Sequence, residues 1–157
     1  MNNFTIRRAD KDDSKILTDL VCELLMDFNI QSKSNFNIDK IIIKSTCAEL
    51  LGRSNFGGFL AFIKLTNQVV GMITITQATA IYNGGDFGVI TELYVDRNIR
   101  SKGIGKLLLE AAIEFAKQMG WSKVEVGAPK KEDWPRTIDF YKSNGFEEKG
   151  PKLRINI

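Results

Sequence analysis

Residues 100–105, Arg100-Ser101-Lys102-Gly103-Ile104-Gly105, form a Gly-rich stretch between a strand-like run, FGVITELYV over 87–95, and a run of helical periodicity, IGKLLLEAAIEFAKQM over 104–119. The order strand, Gly-rich turn, helix is that of a phosphate cradle. Glycine lets backbone approach a ligand closely, and the unpaired N–H groups at a helix start point along the positive end of its dipole. Arg97, Arg100, Lys102 and Lys106 are opposed by a single acid, Asp96, between positions 96 and 106. Taken alone, the same string also suits an ordinary βα loop, so the reading rests on its setting.

Upstream, Phe4 to Arg8 reads as a first strand, and Asp12, Asp13 or Ser14 can cap a helix over 14–29 whose apolar stripe is Ile16, Leu17, Leu20, Val21, Leu24, Leu25 and Phe28. Cys22 and Met26 fall on its opposite face with Asp19 and Glu23, the side expected to meet solvent or another subunit. A polar loop over 30–37 leads to a second helix from Asn37 or Asp39 to Leu51, broadly apolar through Ile41, Ile42 and Ile43, with Cys47 in the core. Residues 59–65 and 69–80 are rich in strand formers and separated by the short turn 66–68; the turn 83–86 then leads into the strand at 87–95. Downstream of the long helix, 123–128 reads as a short strand, 134–143 as a short helix with Pro135 in its first turn, and 146–148 and 153–157 as last strands. The expected fold is α/β in composition, an α+β mixed sheet of six or seven strands with about four helices. Its front half is antiparallel, and one parallel strand pair joined by a crossover helix lies at the Gly-rich turn.

The 157 residues suit one domain, 1–157, with 43% hydrophobic and 26% charged residues as in globular proteins. A net charge of +3, with no Lys/Arg run longer than two, argues against a nucleic-acid footprint. No stretch approaches the ~20 apolar residues of a membrane span, and the N-terminus lacks an apolar leader, so a cytoplasmic protein is expected. Two cysteines, Cys22 and Cys47, are too few for a metal set or a disulfide framework. Histidine is absent, which removes Ser-His-Asp and Cys-His catalysis; any proton transfer falls to Glu, Asp, Tyr, Lys, Cys or water.

With these elements in order, the chain resembles the GNAT superfamily of acyl-CoA-dependent N-acyltransferases, whose pyrophosphate signature (Q/R)-x-x-G-x-(G/A) stands here as RSKGIG. A second signature, Tyr shortly before Asn/Gly-Phe, stands as Tyr141-Lys142-Ser143-Asn144-Gly145-Phe146. The resemblance implies acetyl-CoA as co-substrate, with its pyrophosphate on the turn Arg100, Ser101, Lys102, Gly103, Ile104, Gly105 and on Lys106. It implies that the pantetheine arm pairs with backbone over Leu93, Tyr94 and Val95, that no metal is needed, and that an amine on a small molecule or a peptide is the acceptor. Tyr141 matches the family's general acid. Glu92 is the candidate base, because period two puts Glu92 and Tyr94 on one face of the strand and Thr91, Leu93 and Val95 on the other. One departure stands out: Trp134 occupies the position, seven before the Tyr, where an Asn usually holds pantetheine, and Thr137 replaces a common Ala. Trp134 is therefore a candidate contact of the cofactor, and Arg136 a candidate for a phosphate or an acidic group. A homodimer is compatible with the family. The alternatives are a non-catalytic acyl-CoA-binding module and, disfavoured by the missing βα repeats, a dinucleotide enzyme.

Overall fold

The computed structural model describes residues 2–157. In chain order the elements are β1 (Phe4–Arg8), α1 (Ser14–Gln31), α2 (Lys40–Leu51), β2 (Phe56–Ile63), β3 (Val69–Ala80), β4 (Gly85–Val95), α3 (Ile104–Gln118), β5 (Val124–Val126) and α4 (Pro135–Ser143). The strands form one sheet in the order β1-β2-β3-β4-β5. The first four are antiparallel neighbours, and β5 pairs in parallel with β4 from Gly88↔Val124 to Ile90↔Val126.

The sheet is covered on both faces, and alternation along each strand divides the core in two. On one face Ala61, Ile73, Ile75 and Ile90 pack against Ile104, Leu108, Ala112 and Phe115 of α3. On the other, Leu60, Phe62, Met72 and Tyr94 meet Leu17 and Leu20 of α1 and Cys47 of α2. Each large side chain fully buried in these layers contributes about 1.5–3 kcal/mol of transfer free energy. Among the described residues no helix is long and apolar enough to cross a membrane.

Three expectations change. Residues 146–148 and 153–157 are not strands, so the sheet has five strands rather than six or seven. Gly145 and Gly150 adopt left-handed φ of 91° and 123°, Pro151 follows, and every residue from 147 to 157 is exposed. A backbone interrupted in this way, with no sheet face to cover, gains nothing from extending the ladder beyond the three residues of β5. Cys22 is not on a solvent face: α2 lies against α1, and Cys22 is only 4% exposed. Conversely, Ile41 and Ile42 at the start of α2 are 82% and 61% exposed, so the apolar run there is wider than the face that α2 buries.

Candidate active site

The site begins where β4 stops pairing with β5. Thr74 of β3 faces Glu92 while Ile75 faces Ile90, so Thr91 is an extra residue, a β-bulge. The bulge shifts the phase of the strand. Ile90 and Leu93, three apart, both pack on the α3 side, whereas strict alternation from Ile90 would have put Glu92 there. Instead the Thr91 hydroxyl lies 2.9 Å from that of Thr74 and donates to Glu92 Oε2 at 2.6 Å.

From Thr91 to Val95 the outer edge of β4 has no strand beside it. The Asp96 N–H donates inward to the Val70 carbonyl at 2.8 Å, so the Val95 carbonyl, in the same trans peptide, points outward. N–H and C=O of one residue in an antiparallel strand point the same way and alternate along it, so Leu93 and Val95 present their backbone groups to the open edge. The Val95 carbonyl accepts a hydrogen bond from Arg100 Nε at 2.8 Å.

The Gly-rich turn follows. Ser101 sits at φ 65° and Gly103, the N-cap of α3, at φ 83°, with no side chain capping the helix. The first-turn N–H groups of α3 therefore have no intrahelical or capping partner. They belong to a cleft of ≈ 630 Å³ lined by Ser101, Gly103, Ile104, Gly105 and Lys106 at this end. A non-Gly residue in the left-handed region costs about 1–2 kcal/mol, and such strain concentrates at functional turns. Arg136, from the first turn of α4, donates to Ser101 Oγ and brings a second cation to this end.

Arg100 lines the cleft, but its guanidinium is engaged. Nη2 donates to Asp27 Oδ2 at 2.6 Å, and Arg97 donates to Oδ1 of the same carboxylate. Asp27, on α1, is 5% exposed, so this charge cluster ties α1 to the turn and offsets much of the Arg100 charge. Lys102 is not brought into the cleft; it borders a separate recess with Phe4, Ile63 and Ile99. The turn holds one cation inward and sends the next outward.

The other predicted residues converge on the same cleft: Leu93, Tyr94, Val95, Glu92, Trp134 and Tyr141 all line it. Glu92 Oε2 also accepts from the Thr74 hydroxyl, and the Glu92 N–H donates to Thr74 Oγ1 at 3.1 Å, which fixes the carboxylate beside the bulge. Tyr141 is 5% exposed, its ring packed edge-on against Phe140 and Phe146 at 5.2 and 5.3 Å. Burial pushes its phenol above the ordinary value, so at neutral pH it stays protonated. Trp134 Nε1 donates to Ser32 Oγ at 2.5 Å, and its ring lies 5.0 Å from that of Phe28. With Gln31 Nε2 donating to the Asp133 carbonyl at 2.9 Å, these contacts join the end of α1 to the loop before α4, across the cleft.

Sequence reasoning missed Asp27, Thr74 and Phe28. Asp27 carried a readable signal, since it continues the buried stripe Leu17, Leu20, Leu24 at helical spacing, where a carboxylate demands a cationic partner. Thr74 carried none, because its role depends on the bulge in the neighbouring strand.

The model of the acetyltransferase (GNAT) family matches residues 20–146. An uncharacterized N-acetyltransferase of Methanocaldococcus jannaschii is 47% identical over 62 residues, which are 38% of this chain and 26% of that protein. The match thus spans about a quarter of that curated relative's length. Among solved structures, an aminoglycoside acetyltransferase from an uncultured soil metagenomic sample, in complex with trehalose, is similar at a TM-score of 0.76 and 28% identity, covering 99% of this chain and 97% of that one. A Clostridium acetobutylicum protein crystallised with acetyl-CoA shares the fold at a TM-score of 0.79 and 22% identity, covering 98% of this chain and 96% of its own. With a family match that runs from the middle of α1 through the Gly-rich turn to Phe146, the chain belongs to the GNAT acetyltransferase family.

Proposed function

We propose that the protein transfers an acetyl group from acetyl-CoA to a primary amine by direct attack, with no covalent enzyme intermediate. The observation that carries this is the convergence of three features in one cleft: the uncapped α3 N-terminus, the unpaired edge of β4, and the pair Glu92 and Tyr141. The residues suit the donor. Free N–H groups with Lys106 and Arg136 fit a pyrophosphate, and the outward backbone of Leu93 and Val95 fits an arm built of amides.

When bound, the thioester supplies the activated acyl group. Each group of the chain then has a task. Tyr141, held neutral by burial, donates its proton to the leaving sulfur as the carbon–sulfur bond breaks. Glu92 takes the proton that the amine nitrogen loses as the new carbon–nitrogen bond forms, directly or through one water. The acceptor is a primary amine.

The test is release of free thiol from acetyl-CoA in the presence of a panel of amines, with mass detection of the acetylated product. Turnover with at least one amine, and its loss in Tyr141→Phe, is the expected result. Binding of CoA without turnover of any amine would replace this reading with a non-catalytic CoA-binding module; no CoA binding would remove both.

A further inference from the structure

Resting on the acyl-transfer reading above, we propose that the acceptor is a single amine carried on an apolar, aryl-sized body rather than a polycation. The charges of the cleft point to this. Two acids line it, Asp27 and Glu92. Both oxygens of Asp27 are occupied by Arg97 and Arg100, so it has no attraction left to offer a ligand ammonium. Glu92 uses Oε2 for the Thr74 and Thr91 hydroxyls, and among the described residues Oε1 takes no hydrogen bond. One carboxylate oxygen serves one amine.

The rest of the cleft discourages further positive charge. Arg100, Lys106 and Arg136 line it as well. A second or third ammonium on the acceptor would find no free acid in the cleft lining to offset its desolvation, since Asp27 is already held by Arg97 and Arg100. On the α1 side, where Glu92 and Tyr94 face, Leu24 and Phe28 from α1 and Trp134 across the cleft are apolar, and the polar α1 residues of the lining, Asp27 and Gln31, are engaged by Arg97 and Arg100 and by the Asp133 carbonyl. Phe28 is held by an edge-on contact with Phe36 at 5.9 Å and by Trp134 at 5.0 Å. A pinned aromatic wall next to one open carboxylate oxygen selects an amine with a flat apolar body, which it covers without desolvating a second charge. In hydrophobic pockets each methylene of such a body changes selectivity by roughly 10–200-fold.

The experiment measures kcat/KM at saturating acetyl-CoA for phenethylamine, spermidine and kanamycin, in the wild type and in Phe28→Ala and Phe28→Leu. Expected is a kcat/KM for phenethylamine at least about tenfold above both polycations. Phe28→Ala should raise its KM about tenfold with kcat little changed, and Phe28→Leu should restore most of the loss, with CoA binding by calorimetry equal in all three proteins. A kcat/KM for spermidine or kanamycin equal to or above that for phenethylamine overturns this proposal and leaves acyl transfer standing. So does a KM for phenethylamine that neither variant moves. Turnover of no amine, with CoA bound, overturns both.

Discussion

Gly103 and Gly105 stand two residues apart in the same turn, yet the structure assigns them different work, and alanine at each separates the two. Gly103 has φ 83°, and a Cβ added there would meet nothing within 4 Å. Its substitution therefore costs backbone strain alone, about 1–2 kcal/mol for an L-residue in the left-handed region, offset by about 0.4–1 kcal/mol from a stiffer unfolded chain. The net loss of roughly 0.5–1 kcal/mol lowers Tm by about 1–4 °C in a chain of this size. Gly105 lies inside α3 and lines the cleft; its added Cβ would sit 3.4 Å from the Phe140 ring, in ordinary contact. Alanine there gains helix propensity of up to about 1 kcal/mol but adds a methyl to the cleft beside the helix N–H groups proposed to hold a phosphate. Losing one charge-assisted hydrogen bond of about 1.5–3 kcal/mol weakens CoA binding by roughly 10–100-fold. Calorimetric titration with CoA and thermal unfolding, run on both variants, read the two effects independently. If Gly105→Ala binds CoA as tightly as the wild type, the α3 N-terminus is not the phosphate site, and the reading of the turn fails.

Tyr141→Phe should lower kcat by ten- to a thousandfold, roughly the span of lost acid assistance, with CoA affinity unchanged because the ring contacts to Phe140 and Phe146 remain. Burial raises the phenols of both Tyr141 and Tyr94 in the folded state. Their contribution to stability is therefore complete below the unfolded phenol value of ~10 and is lost as pH rises from there through the folded values. Thermal unfolding between pH 9 and 11.5 should show a falling Tm whose slope decreases in Tyr141→Phe; equal slopes would mean that the phenol ionises without resistance. Asp27→Asn leaves two guanidiniums, those of Arg97 and Arg100, facing a neutral amide, and should lower Tm and raise hydrogen exchange in the 97–103 turn. Exchange confined to the end of α1 would show that the carboxylate does not hold the turn.

The parts of this molecule legible in sequence are those set by local chemistry. β1 and β3 fall at their expected residues, and α3 starts at Ile104 as its periodicity requires. Asp39 was readable as a helix cap, and its side chain accepts from the N–H groups of Ile41 and Ile42. The residues that long-range packing decides were not legible. Cys22 looked solvent-facing because helical spacing on α1 alone cannot tell that α2 covers a second side. The tail at 153–157 alternates apolar and polar like a strand, but alternation specifies a face only when a sheet edge is there to receive it. Arg100 was read as a phosphate ligand from its place in the signature; its partner, Asp27, lies 73 residues away and competes for the same guanidinium.

The β-bulge at Thr91 links the fold to the chemistry. If Thr91 were paired in the ladder instead of bulging from it, strict alternation from Ile90 would put Glu92 on the same face, pressing a carboxylate into the apolar layer against α3. That arrangement is costly for an unpaired charge. With the bulge, Ile90 and Leu93 both serve the α3 core, while Glu92 turns toward Thr74 and the α1 side. The same residue ends the pairing with β5 after Ile90, so the strand edge opens at the point where the carboxylate is delivered. One inserted residue thus gives β4 a core face, an unpaired edge, and a fixed carboxylate at the junction. That economy explains why a threonine stands there. Its hydroxyl donates to Glu92 Oε2 and holds the carboxylate beside the bulge.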